Sequence, residues 1–159
     1  MRFISLCSTA KKMTMYYKAS KVNWGNITFD SKLEFEVFRT LKRRFYLPNI
    51  SVHQPIVIRP KTTWFKPQLW KVDFVIKTKE LQGEKLYVEV KGIVQADFKE
   101  RMKNLSYFFP QIFENLVVVC PVSQTIVRGF TAYGTKDFEL ALQGNLVQLV
   151  SQCKSVLED

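Results

Sequence analysis

Two short apolar runs of strand character, separated by a polar turn, constrain this chain more than any other feature. WKVDFVI covers residues 70–76 and KLYVEVKG covers 85–92. Side chains on a strand alternate between the faces of a sheet. In the first run Trp70, Val72, Phe74 and Ile76 share a face and leave Asp73 on the other. In the second, Leu86, Val88 and Val90 share a face, and Glu89 and Lys91 share the opposite one. If the runs pair as a hairpin across the turn near Gly83, two carboxylates and an ammonium meet on one surface. Such a group suits a divalent cation and an activated water. The alternative is an ordinary solvated strand face. Two details weigh against it: no acid occurs between Glu36 and Asp73, and the second strand stops at Gly92, where a backbone can approach a ligand closely.

A third carboxylate belongs to FDSKLEFEVFRTLKRRF, which reads as a helix starting at Asp30 or Ser31. Ser31 followed three residues later by Glu34 fits a capping box. On a helical wheel, Leu33, Val37, Phe38, Leu41 and Phe45 form an apolar stripe with Glu34 at its centre. Glu36 falls on the far side with Arg39 and Arg43, as an exposed acid expected to pair with a nearby arginine. An inward-facing Glu34 is costly unless it is partnered. Either the cap occupies its carboxylate, or a metal beneath the helix gives it reason to point inward.

An acid on a first helix, then Asp, then Glu-x-Lys on two strands resembles the pattern of the PD-(D/E)XK nuclease superfamily. More narrowly, it resembles the phage endonuclease I family of four-way-junction resolvases. The likeness runs through FDSKLEFEVFRTL, VDFVI and LYVEVKG, and more weakly through NLVVVCPVSQTIVRGFTAYGTKDFELAL, over roughly residues 28–142. Val72 stands where the superfamily often has Pro, and the first 27 residues have no clear counterpart. The resemblance implies an α/β, restriction-endonuclease-like core: a central mixed β-sheet flanked by helices. It implies Glu34, Asp73, Glu89 and Lys91 as catalytic residues. Glu34, Asp73, Glu89 and the backbone carbonyl of Val90 are hard oxygen ligands that suit Mg²⁺, with Mn²⁺ able to substitute. Lys91 would orient the attacking water or stabilise charge on the phosphate.

Charge points to the same substrate. The chain carries 24 Lys and Arg against 14 Asp and Glu, a net charge of +10 in 159 residues. Residues 1–29 contain no acid but carry Arg2, Lys11, Lys12, Lys18 and Lys21. Residues 37–72 again contain none, and carry Arg39, Lys42, Arg43, Arg44, Arg59, Lys61, Lys66 and Lys71. Such a surface attracts a polyanion. Lys42, Arg43, Arg44, Lys61 and Lys66 are candidate DNA contacts. The family resemblance adds Lys99 and Lys103 on the helix after Gly92.

The remaining chain reads as scaffold. VHQPIVI is a strand and RPKTTWFKPQ a basic loop, whose Trp64 and Phe65 either touch nucleic acid or pack against the sheet. Phe98, Met102, Leu105 and Phe109 mark a helix stripe that Pro110 ends, and NLVVVCP suits a buried strand. Residues 135 to about 157 read as helical, with a break at Gly144-Asn145. Cys7, Cys120 and Cys153 lack metal-ligand spacing, which favours a reducing, intracellular (cytoplasmic) setting. His53, the single histidine, reads as structural. No apolar run reaches the length of a membrane span. Residues 1–27 read as a basic arm that wraps DNA or a partner subunit, and residues 28–159 as one nuclease domain.

The expectation is therefore a Mg²⁺-dependent DNA endonuclease acting at four-way (Holliday) or branched junctions. A homodimer is expected because a symmetric junction needs two cuts. A sequence-specific, homing- or restriction-type endonuclease on the same core is the first alternative. A non-catalytic nucleic-acid-binding module is the second.

Overall fold

The computed structural model describes residues 20–155. β1 (Val22–Trp24) and β2 (Ile27–Phe29) form a small antiparallel hairpin that leads into α1 (Lys32–Arg44). The long strands β3 (Ile50–Arg59) and β4 (Gln68–Lys77) follow, then β5 (Lys85–Val90). Next come α2 (Ala96–Phe108), α3 (Pro110–Glu114), β6 (Leu116–Cys120), β7 (Gln124–Val127) and β8 (Phe130–Gly134). The last elements are α4 (Thr135–Leu142) and α5 (Leu146–Gln152). The architecture is mixed α/β. Its central six-stranded sheet has the order β3-β4-β5-β6-β8-β7. β3, β4 and β5 are antiparallel, β5, β6 and β8 run parallel, and β7 returns antiparallel at the edge.

The expected hairpin forms between β4 and β5, with Phe74 opposite Val88 and Ile76 opposite Leu86. Its turn needs positive φ, and Gly83 takes it at +83° without a Cβ penalty. All five residues of β6 are buried, as a parallel strand covered on both faces requires. Helix α1 is clamped to β4 through aromatic rings: Phe38 lies 4.8 Å from Phe29 and 6.1 Å from Phe74 between centroids. Val37, Phe38 and Leu41 are buried, while Leu33 and Phe45 at the ends of the stripe are half-buried. Trp24 packs edge-on against Phe38, and Lys42 Nζ sits 3.9 Å over its indole. The rest of the basic arm, residues 1–19, lies outside the described residues, and Cys7 with it.

Several boundaries differ from the expectation. Pro110 ends α2 and also begins α3, because its fixed φ and missing N–H suit the first helical position. The late helix does break at Gly144-Asn145, as expected: α4 ends at Leu142 and α5 opens where the Asn145 side chain accepts the Val147 N–H at 2.7 Å. α5 stops at Gln152, short of 157, since Lys154 bridges to Phe130 and donates to the carbonyls of Glu114, Leu116 and Val150. The β7–β8 hairpin was not anticipated. Gly129 turns it at φ +85°, and at its open end Gly134 approaches Ser123 so closely that a Cβ would meet Ser123 N at 2.9 Å. Cys120 and Cys153 are buried free thiols, and burial pushes the Cys120 thiol up to about 11. Among the described residues no helix is long and apolar enough to cross a membrane.

Candidate active site

Three neighbouring strands present polar groups at one level of the sheet. Val52 pairs with Phe74 and Gln54 with Val72, so His53 stands opposite Asp73. Extending the β4–β5 register by one residue sets Asp73 opposite Glu89. Side chains replace part of the ladder there. The Val90 N–H donates to Asp73 Oδ2 at 2.7 Å, and the Asp73 N–H donates to Glu89 Oε2 at 3.3 Å. Lys91 follows the end of β5 and is anchored by its own N–H, which donates to the Val119 carbonyl at 2.9 Å. Its Nζ lies 2.7 Å from Glu89 Oε1 and 4.9 Å from the Phe98 ring centre on α2. Asp73, Glu89 and Lys91 thus meet as alternation required.

Charge is held there under strain. Glu89 is 2% exposed. The Asp73 carboxyl is pushed up to about 8, first by burial, then by the charges of Glu89 and Glu34; the Val90 N–H and Lys91 offset this only in part. A carboxylate that resists ionising because it is drawn out of water, and further because two others lie near it, is the electrostatic condition a cation relieves.

Glu34 is buried at 3% exposure, as its place on the wheel required. Ser31 caps α1, accepting the Glu34 N–H at 3.1 Å. The reciprocal half of the expected capping box is different: Glu34 Oε2 accepts from the Asp30 N–H at 2.9 Å, one residue before the cap. Its Oε1 accepts from Nε2 of His53. Burial raises the Glu34 carboxyl, and His53 opposes that rise. Asp30 Oδ2 lies 3.9 Å from His53 Nε2. Among the described residues, Asp30, Glu34 and His53 are the one set of three whose ligand atoms all lie within 4.8 Å of one another. Glu34 therefore faces two ways. Its charge acts on Asp73, while its oxygens are held by the Asp30 N–H ahead of α1 and by His53 of β3 rather than drawn to a common point with Asp73 and Glu89.

His53, read from the sequence as structural, and Asp30, read as a helix start, complete this cluster. His53 has φ +53° in the middle of a strand, a conformation uncommon for any residue with a Cβ and concentrated at functional sites. No local pattern marks it; a lone histidine two residues before Pro55 was the available signal. Asp30 was visible only as a helix start.

The candidate DNA contacts are unequal. Arg43 pairs with Glu139, Arg44 with both oxygens of Glu80 at 2.9 Å, and Lys103 with Glu100 at 2.8 Å. These pairs also correct the pairing expected for Glu36, which is exposed on the outer side of α1. Lys42 is spent partly on Trp24. Lys61, Lys66 and Lys99 are exposed. Trp64 and Phe65 do not pack against the sheet; both stand in solvent.

A family of proteins of unknown function, DUF1064, matches residues 14–124. The chain belongs to this family. The DUF1064 match spans Asp30, Glu34, His53, Asp73, Glu89 and Lys91, and ends at the start of β7, before β8 and the last two helices. No curated protein and no solved structure matches the chain.

Proposed function

We propose that the protein is a divalent-metal-dependent DNA endonuclease of the PD-(D/E)XK type, acting on four-way or branched junctions as a homodimer. The observation that carries this reading is the contact of half-buried Asp73 with buried Glu89, with Glu34 close enough to raise Asp73, inside a chain of net charge +10. Three acids so placed repel a phosphodiester unless a cation stands between.

The donor set fits Mg²⁺ or Mn²⁺. Asp73 and Glu89 are hard carboxylate donors, and the Asp73 carboxyl held near 8 has its proton to exchange for a metal. When bound, the metal lowers the pKa of a coordinated water and offsets charge on the scissile phosphate. The residues themselves position and neutralise. The Val90 N–H fixes Asp73 in one rotamer, and the Asp73 N–H does the same for Glu89. His53 holds Glu34 against the start of β3. Lys91, with a side chain 28% exposed, can leave Glu89 to meet the attacking water or a phosphate oxygen. Phe98 beneath its ammonium limits where it can go.

The deciding experiment compares a four-way junction with its linear duplex in Mg²⁺ and in EDTA, using wild type and Asp73→Ala. Symmetric Mg²⁺-dependent nicking of the junction alone, lost in the variant, is the expected result. Cleavage confined to particular sites in long duplex DNA would instead establish the sequence-specific reading. Inertness on every DNA, with no Mg²⁺ binding that depends on Asp73, would overturn both.

A further inference from the structure

The β3–β4 ribbon outruns the sheet. β5 pairs with β4 only as far as Phe74, whereas β3 and β4 stay paired out to Arg59 and Gln68, past a bulge between Val57 and Arg59. Residues 54–59 and 68–72 therefore form a two-stranded arm, closed by residues 60–67. That closing segment is built to hold a shape. Pro60 and Pro67 bracket it, fixing φ at both ends. Inside, Thr62 Oγ1 accepts the N–H groups of Phe65 at 3.0 Å and Trp64 at 3.3 Å, and the Thr62 N–H donates to the Phe65 carbonyl at 3.0 Å. From this turn two adjacent rings project, Trp64 85% exposed and Phe65 67%. Large aromatic surface left in water by an ordered turn marks a contact surface.

Its charge selects the partner. Arg59, Lys61, Lys66 and Lys71 are all exposed along the arm, and residues 37–72 contain no acid. A second copy of so basic an arm is repelled, and a nucleic acid is attracted. Rings between cations suit bases: every base has a face to stack, and the flanking phosphates meet the lysines. The neighbouring groove between the arm and α2, about 750 Å³, is lined by Asp97 and Glu100 as well as Arg59 and Arg101. Those acids make it a poor channel for a phosphate backbone, which assigns the contact to the tip.

We propose that Trp64 and Phe65 form a stacking tip that engages unpaired or unstacked bases, so that the arm makes the protein prefer branched over fully paired DNA. This rests on the nuclease reading for the identity of the polyanion as DNA. From Asp73 to Gln68 the strand runs about 17 Å at roughly 3.3 Å per residue. The tip thus probes DNA about five base steps or more from the candidate active site.

The test measures binding in Ca²⁺ to a labelled four-way junction, a duplex with an unpaired loop, and a fully paired duplex. The proteins are wild type, Trp64→Ala/Phe65→Ala, and Trp64→Phe. The double variant should lose about tenfold or more in affinity for the two DNAs with accessible bases and change little on the paired duplex. Trp64→Phe should keep most of the affinity, and the melting temperature of both variants should match wild type, since neither ring is buried. Unchanged affinity in the double variant, while wild type still cleaves DNA, overturns the tip and leaves the nuclease intact. Equal loss on all three DNAs overturns base stacking in favour of phosphate contact. Tip-dependent dimerisation in ultracentrifugation, or tip-dependent binding to phosphatidylserine vesicles, without tip-dependent DNA binding overturns it in favour of another partner. A wild type that binds none of the DNAs overturns this inference together with the nuclease reading.

Discussion

On the β4–β5 side of the candidate site, Asp73, Glu89 and Lys91 are placed by regular strand alternation and a Gly83 turn; their contacts join neighbouring strands or, for Lys91 with Glu89, run along one segment. On the α1–β3 side, Glu34, His53 and Asp30 meet through an irregular backbone: a left-handed residue within a strand, opposite a helix whose cap is only half the usual box. The first side sits where the β4–β5 pairing ends, and its own side chains continue the ladder at Asp73 and Val90. The second is held by side-chain bonds that exist only when the whole fold is assembled. Substitutions on the first side should therefore strike the chemistry, and substitutions on the second the positioning.

The largest effects belong to Asp73. Asp73→Asn should lower cleavage on the order of 10³-fold, the scale for removing a group aimed at developing charge. The same change should stabilise the metal-free protein. The Asp73 carboxyl sits near 8 when folded against an ordinary 3.8, so the folded state binds the proton more tightly than the unfolded one. Its effect on stability is absent below the ordinary value, and stability falls as pH rises from about 4 to about 8. Denaturant titrations in EDTA should show wild type losing ground across that window. Asn, which keeps an acceptor for the Val90 N–H, should escape the loss and be the more stable of the two at pH 9. Identical pH profiles for the two proteins would mean that Asp73 is not held protonated. Added Mg²⁺ should stabilise wild type but not the variant. Lys91→Ala should abolish turnover yet keep junction affinity in Ca²⁺; lost affinity would make Lys91 a phosphate contact instead.

Loss of the residue that holds Glu34 should cost less. If Glu34 joins Asp73 and Glu89 at the metal, His53→Ala removes the partner behind a ligand, typically worth about 10–100-fold in metal affinity or activity. Mn²⁺ affinity, measured directly, should fall with cleavage, while DNA binding in Ca²⁺ stays near wild type. His53→Gly separates strain from contact, because it relaxes the φ +53° backbone but leaves Glu34 equally unpartnered. Gly and Ala should therefore lose metal affinity alike and differ in stability, with Gly the higher. Metal affinity indifferent to both would make His53 a packing residue.

This contrast follows what could be read from the sequence. Alternation along WKVDFVI and KLYVEVKG placed Asp73, Glu89 and Lys91, and helical periodicity placed Glu34, because each pattern repeats with the backbone it reports. The run LVVVC likewise announced β6. His53 could not be found that way: a single residue of positive φ leaves no period, and its partner lies in another element. The same holds for the two rings of the arm. Apolar composition placed Trp64 and Phe65 equally well against the sheet, and only the extent of β3–β4 pairing beyond β5 lifts them into solvent. The β7–β8 hairpin was missed because QTIV and FTAYG are short and owe their pairing to β6 and to the close Gly134–Ser123 approach.

The smallest predicted effect bears most sharply on helix orientation. Glu34 and Glu36 are two residues apart on α1, one buried against His53 and the other exposed. Residues two apart on a helix sit on different faces, so equivalent chemistry should give unequal results. Glu36→Gln removes an exposed charge with no ion pair among the described residues. It should leave stability within about 0.5 kcal/mol and cleavage unchanged. Glu34→Gln keeps the shape but replaces one carboxylate oxygen by an amide that cannot accept from both the Asp30 N–H and His53. It also removes one of the charges that raise Asp73. The Asp73 carboxyl should then move down toward its ordinary value, shifting the pH dependence of stability to lower pH even as cleavage collapses. Equal loss of cleavage from the two substitutions would mean that α1 is rotated about its axis from the orientation described, and that the acid acting on Asp73 is not Glu34.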